Sequence, residues 1–139
     1  MTAPRLDGLT ILIVDDDEDI LGGMELAIRA EGANTITATD GNEAVALWRS
    51  NEPAVVVLDM MLPKRSGFLV LEELMEASHP PLVVMVTANE GRRHMAYARN
   101  LGVHAYLTKP IPLQQLIDTI CDLRSQRSAE EGGTMSAAD

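Results

Sequence analysis

Three short aliphatic runs constrain this chain more than any other feature: LTILIV at 9–14, AVVVL at 54–58 and LVVMV at 82–86. None alternates with polar residues, as a strand wet on one face would. Unbroken runs of this kind suit strands covered on both faces of a parallel sheet. Such a sheet needs helices between its strands, and the intervening segments supply them. Residues 18–31 carry Ile20, Met24, Ala27 and Ile28 at helical spacing, and Gly32 follows as a stop. Residues 42–51 read as a second helix, ended by Pro53, and 66–77 as a third with Ser66 at its N-cap. Residues 91–101 and 112–125 give the fourth and fifth, the last opening on Pro112. Two weaker strands, NTITA at 34–38 and VHAYL at 103–107, complete the alternation. Strand then helix, repeated five times, predicts an α/β fold with right-handed crossovers and helices on both faces. Gly22 and Gly23 fall inside the first helix, where each costs about 1 kcal/mol relative to Ala; close packing on the sheet is the expected reason.

The 139 residues suit one domain. Residues 1–6 read as an extension, 7–124 as the domain, and 125–139, where the apolar period is lost, as a disordered tail. Aromatic residues are only 3% of the chain, so aliphatic residues and the 8 methionines must build the core. The net charge of −10 argues against direct nucleic-acid binding and against anionic membrane surfaces. The single cysteine, Cys121, rules out an intrachain disulfide and reads as a packing residue. The start has no signal-peptide layout, and no apolar run approaches the roughly 20 residues needed to span a bilayer. A soluble, cytoplasmic, stand-alone protein is expected.

In open α/β sheets, ligands sit beyond the carboxyl ends of the strands. Asp15 and Asp16 follow the first strand, Asp59 the third, Thr87 the fourth, and Thr108 and Lys109 the fifth. Carboxylates about 4 Å apart repel by roughly 4 kcal/mol per pair at an effective dielectric near 20. A cation must offset this, and an oxygen-only ligand set favours a hard ion such as Mg²⁺. A hydroxyl, an ammonium and a divalent ion around a spare carboxylate are what a phosphoryl group needs. Asp17, Glu18 and Asp19 read as the first turn of the following helix, where negative charge suits the helix dipole.

Together the motifs VDDDED (14–19), LDMMLPKRSG (58–67), TA (87–88) and YLTKP (106–110) resemble the receiver domain of two-component response regulators, over about residues 7–124. The resemblance implies a flavodoxin-like fold with strand order 2-1-3-4-5. It implies Asp59 as phosphoacceptor, with Asp15, Asp16, Asp59 and the backbone carbonyl of Met61 holding Mg²⁺ or Mn²⁺. It gives Thr87 and Lys109 to the phosphoryl group, and Thr87 with Tyr106 to a conformational switch. A cis bond between Lys109 and Pro110 goes with it, as does a small residue, Ala88, leaving a path for the donor. Met61 and Asn89 fall where phosphoryl lifetime is tuned. The implied partners are a histidine kinase or a histidine phosphotransfer protein, and a downstream protein on the face of helix 4, strand 5 and helix 5. A monomer or a phosphorylation-dependent dimer is implied, self-phosphorylating and self-dephosphorylating rather than turning over external substrates.

Three other functions compete. A Mg²⁺-dependent phosphatase would carry a second acid two residues after the nucleophile, where this chain has Met61. A flavodoxin-like electron carrier would need a phosphate-cradling loop where this chain has DDDED. A degenerate receiver would serve only as a protein-interaction scaffold, against which the intact site residues stand. His79, His94 and His104 show no ligand spacing, Trp48 reads as helix packing, and Arg92 and Arg93 are either an exposed pair or part of a partner surface.

Overall fold

The computed structural model describes residues 4–88 and 91–138, with side chains through residue 130. Five parallel strands alternate with five helices: β1 Thr10–Val14, α1 Glu18–Ala30, β2 Asn34–Ala38, α2 Gly41–Asn51, β3 Val55–Leu58, α3 Gly67–Met75, β4 Leu82–Thr87, α4 Arg92–Leu101, β5 Ala105–Thr108 and α5 Leu113–Ala138. The strand order is β2-β1-β3-β4-β5, the flavodoxin-like order expected.

The unbroken apolar runs follow from this arrangement. Successive side chains of a strand point to opposite faces. Ile11, Ile13, Val55, Val57, Val84 and Val86 join Leu21, Met24 and Ile28 of α1 and Leu116 and Ile120 of α5 in one core. Leu12, Val14, Val56, Leu58, Val83 and Met85 join residues of α2, α3 and α4, among them Val45, Leu71 and Ala98, in the other. Every residue of β3 and β4 is buried, whereas the edge strands β2 and β5 are only partly so. That explains their weaker sequence signal.

Side-chain caps fix the starts of three helices. Asp17 Oδ1 accepts from Asp19 N at 3.0 Å and Ile20 N at 3.2 Å. Asp40 Oδ1 accepts from Glu43 N at 2.8 Å, and Ser66 Oγ from Leu69 N at 3.3 Å, as expected of Ser66. Each such cap contributes about 1 kcal/mol.

Three expectations need correction. The inner face of α1 is set by Leu21, Met24 and Ile28, while Ile20 is 37% exposed. Gly22 and Gly23 are not packed against the sheet, for a Cβ on either would meet no atom within 4 Å. The last helix does not end near residue 125 but runs on to Ala138. Residues 125–130 contain no Gly or Pro, so the helix continues through them although the apolar stripe is lost. Arg127 also ties the extension down, donating from Nη1 to the carbonyl of Pro80 at 3.1 Å.

Candidate functional site

Strand register builds the site. Val14 of β1 pairs with Leu58 of β3, so the residues that follow them, Asp15 and Asp59, leave the sheet side by side. The backbone holds both: Asp15 N donates to Ala38 O at 3.1 Å and Asp59 N to Val14 O at 3.0 Å. Thr87 ends β4 opposite Thr108, and its carbonyl accepts from Lys109 N at 2.8 Å. The next peptide bond, Lys109–Pro110, is cis, as the family resemblance implied.

The side chains then converge. Lys109 Nζ lies 2.7 Å from Asp15 Oδ2 and 3.1 Å from Asp59 Oδ2. The second oxygens are committed to the backbone: Asp15 Oδ1 accepts from Asp17 N at 2.9 Å and Asp59 Oδ1 from Met61 N at 3.2 Å. Asp15 is completely buried and Asp59 is 5% exposed, whereas Asp16 is exposed. Oxygens of Asp15, Asp16 and Asp59 all come within 4.8 Å of one another. At that separation each pair of charges repels by about 3–4 kcal/mol at a dielectric near 20. One ammonium cannot neutralise three carboxylates. The contact of Asp15 Oδ2 with Lys109 is close in distance but poorly directed, so this buried oxygen has charge compensation without a well-formed hydrogen bond. A buried, under-coordinated carboxylate oxygen in an all-oxygen cluster fits a small divalent cation. The triad is thus capable of binding a metal.

Electrostatics and burial act oppositely on Lys109. Desolvation works to lower its pKa, but the adjacent carboxylates of Asp15 and Asp59 outweigh that and hold it above the ordinary lysine value. Tyr106 is raised above the usual phenol value, first by burial and then by the charge of Asp59. It lies on β5, paired with Met85 and partly buried against the second core.

Thr87 is fully buried, while the Met61 side chain is 64% exposed and meets the site through its backbone. Asn89 lies outside the described residues. Two positioning residues escaped the sequence reading. Gly67 donates from its N to Met60 O at 2.8 Å, and a Cβ there would overlap the Asp59 carbonyl and stand 2.6 Å from Met60 Cα. Gly41 is crowded in the same way by the carbonyl of Arg65. Both glycines clamp the loop that carries Asp59, and a position inside a motif was the only signal available for Gly67. Beside the acidic cluster runs a groove of about 550 Å³ between α1 and the segment after β5, with Ile20, Met24, Ala88, Pro110, Ile111 and Leu113 in its walls and Lys109 at its edge.

Comparison with known proteins bears on this geometry. The family model described as response regulator receiver domain matches residues 11–121. The probable transcriptional regulatory protein TcrX of Mycobacterium tuberculosis is 36% identical over 115 residues, which cover 81% of this chain and 49% of that protein. The chain therefore spans about half the length of that curated relative. Among solved structures, the CheY-like receiver domain protein of Methanospirillum hungatei JF-1 is 26% identical with a TM-score of 0.84, covering 90% of this chain and 98% of that one. The N-terminal domain of an uncharacterized protein (WS1339) from Wolinella succinogenes is 31% identical with a TM-score of 0.81, covering 88% and 99%. The CheX–CheY–BeF3–Mg²⁺ complex from Borrelia burgdorferi is 25% identical with a TM-score of 0.83, covering 88% and 98%.

Proposed function

This chain belongs to the response regulator receiver family, and on that premise we propose that it carries a signal as an aspartyl phosphate on Asp59. The observation that supports this most directly is the pairing of Asp59 Oδ2 with Lys109 Nζ at 3.1 Å beside two further carboxylates. It puts an almost buried nucleophile, a counter-charge and an acidic cluster able to hold a cation in one place.

In the proposed reaction, a carboxylate oxygen of Asp59 attacks the phosphorus of a phosphohistidine. A P–O bond forms, the P–N bond breaks, and the imidazole nitrogen keeps the electron pair. Asp15, Asp16, Asp59 and the carbonyl of Met61 would hold Mg²⁺ or Mn²⁺, which when bound neutralises the phosphoryl oxygens. Lys109 leaves its carboxylate partners for a phosphoryl oxygen, and Thr87 donates its hydroxyl to another. Tyr106 follows Thr87 inward, which changes the face formed by α4, β5 and α5 that a downstream protein reads. Attack of water on the phosphorus returns the free carboxylate. No external substrate is turned over.

The donor is a histidine kinase or a histidine phosphotransfer protein. The apolar groove between α1 and Pro110–Leu113 has Lys109, the partner of Asp59, at its edge and suits the helix face of such a donor. Among the described residues, no helix is long and apolar enough to cross a membrane.

Intact-protein mass after incubation with acetyl phosphate and Mg²⁺ tests the proposal. A single base-labile phosphoryl adduct is expected on the wild type and none on Asp59→Asn. A wild type that stays unmodified by both acetyl phosphate and a phosphotransfer protein would overturn it.

A further inference from the structure

At the opposite pole of the sheet, some distance along the strands from Asp59, lies a cavity of about 760 Å³. It is walled by the end of α2, the start of β3, the turn before β4 and the extension of α5. Its volume falls within the range of small-molecule sites, about 300–1,000 Å³.

The lining has an unusual make-up for this chain. Arg49, Arg124 and Arg127 face it, against one carboxylate, that of Glu52, in a protein of net charge −10. Arg49 is partly engaged, with Nη2 3.4 Å from Glu73 Oε2. Arg127 spends one donor on the Pro80 carbonyl, leaving the rest of its fork. Arg124 takes no hydrogen bond or ion pair among the described residues. Arg124 and Arg127 are three residues apart on α5 and so share a face. Two forked donors side by side match a phosphate.

Beside these the lining is largely apolar, with His79, Ser78 and Ser128 as its other polar side chains. Trp48 is partly buried against the second core and still borders the cavity. Pro53, Pro80 and Pro81 add rigid walls without N–H donors. An indole offers a stacking surface for a planar ring.

We propose that this cavity binds a small planar anion of the nucleoside-phosphate class, with the ring against Trp48 and the phosphate on Arg124 and Arg127. Such a ligand would pin the α5 extension to the body of the domain. The site is distinct from the acidic cluster, and the proposal does not depend on phosphorylation of Asp59.

Trp48 is the only tryptophan of the chain and provides the readout. The full chain is titrated with AMP, GMP, adenosine and inorganic phosphate, following Trp48 emission corrected against free tryptophan, with calorimetry in parallel. Saturable binding of AMP or GMP is expected, with adenosine and inorganic phosphate each at least tenfold weaker. Arg124→Gln should weaken the nucleotide at least tenfold at an unchanged melting temperature. The comparison of AMP with adenosine tests the arginines without any variant, should Arg124→Gln fold poorly. Absence of saturable binding at millimolar nucleotide, or equal binding of AMP and adenosine, would overturn the proposal. So would inorganic phosphate binding as tightly as AMP, which would leave Trp48 no part in it.

Discussion

Lys109 stands nearer to Asp15 than to Asp59: its Nζ is 2.7 Å from Asp15 Oδ2 and 3.1 Å from Asp59 Oδ2. In this state the lysine serves as the cation of the acidic cluster. Any reaction at Asp59 that uses Lys109 must first loosen its hold on Asp15. Removing the lysine and adding a divalent ion should therefore be coupled.

Lys109→Met leaves three carboxylates with no internal cation, two of them buried. Removing one partner of a buried ion pair costs about 3–5 kcal/mol. Urea unfolding in EDTA should show a loss of that order. Millimolar Mg²⁺ should restore more stability to Lys109→Met than it adds to the wild type. Equal Mg²⁺ increments in the two proteins would refute the coupling.

Asp16 is exposed, yet its oxygens reach the cluster. Asp16→Ala removes repulsion and a candidate metal ligand together. Its melting temperature without metal should equal or exceed that of the wild type. The Mg²⁺-dependent rise, about 2.7 kcal/mol at a hundredfold excess over Kd, should shrink to a small fraction. Thermal unfolding across a Mg²⁺ series measures both effects.

Two glycines should respond in opposite ways. At Gly67 an added methyl collides with the Asp59 carbonyl and Met60 Cα, so Gly67→Ala should destabilise by about 1–3 kcal/mol and slow phosphorylation of Asp59. At Gly22 nothing stands within 4 Å, so Gly22→Ala should stabilise by up to about 1 kcal/mol, through helix propensity alone. Chemical denaturation midpoints decide both.

His104, away from the acidic cluster, carries a pH dependence of its own. Its Nδ1 accepts from Val83 N at 3.0 Å, which requires that nitrogen to be unprotonated. Burial, then the charge of Arg127, hold its pKa below the ordinary 6.5. The unfolded chain therefore binds a proton at a higher pH than the folded one. Stability from this residue is complete above pH 6.5 and falls as the pH drops from there toward the folded pKa. His104→Asn keeps an acceptor but cannot titrate. The wild type should lose more stability than His104→Asn between pH 7.5 and 5.5, as read from urea midpoints. Parallel losses would remove His104 from the account.

The α/β alternation was legible because the parallel sheet is covered on both faces, and β1, β3 and β4 write that as continuous aliphatic runs. The edge strands were harder, since β5 is only half buried throughout. The face of α1 was misread by one residue, Ile20 for Leu21, because adjacent apolar residues leave a helical period ambiguous until the sheet is present. The α5 extension was missed because its anchor, Arg127 on the Pro80 carbonyl, joins residues 47 apart.

For the site, the chain order of Asp15, Asp16, Asp59, Thr87 and Lys109 was readable, since side chains just past the ends of parallel strands must meet at one edge. Residue types alone pointed to oxygen ligands and a phosphoryl group. Only the tertiary structure decided that Lys109 bridges Asp15 and Asp59, that Gly67 must lack a side chain, and that Gly22 need not. Those outcomes depend on distances of a few ångströms between segments far apart in the chain. Strand register and loop packing set such distances, and no local pattern of residues encodes them.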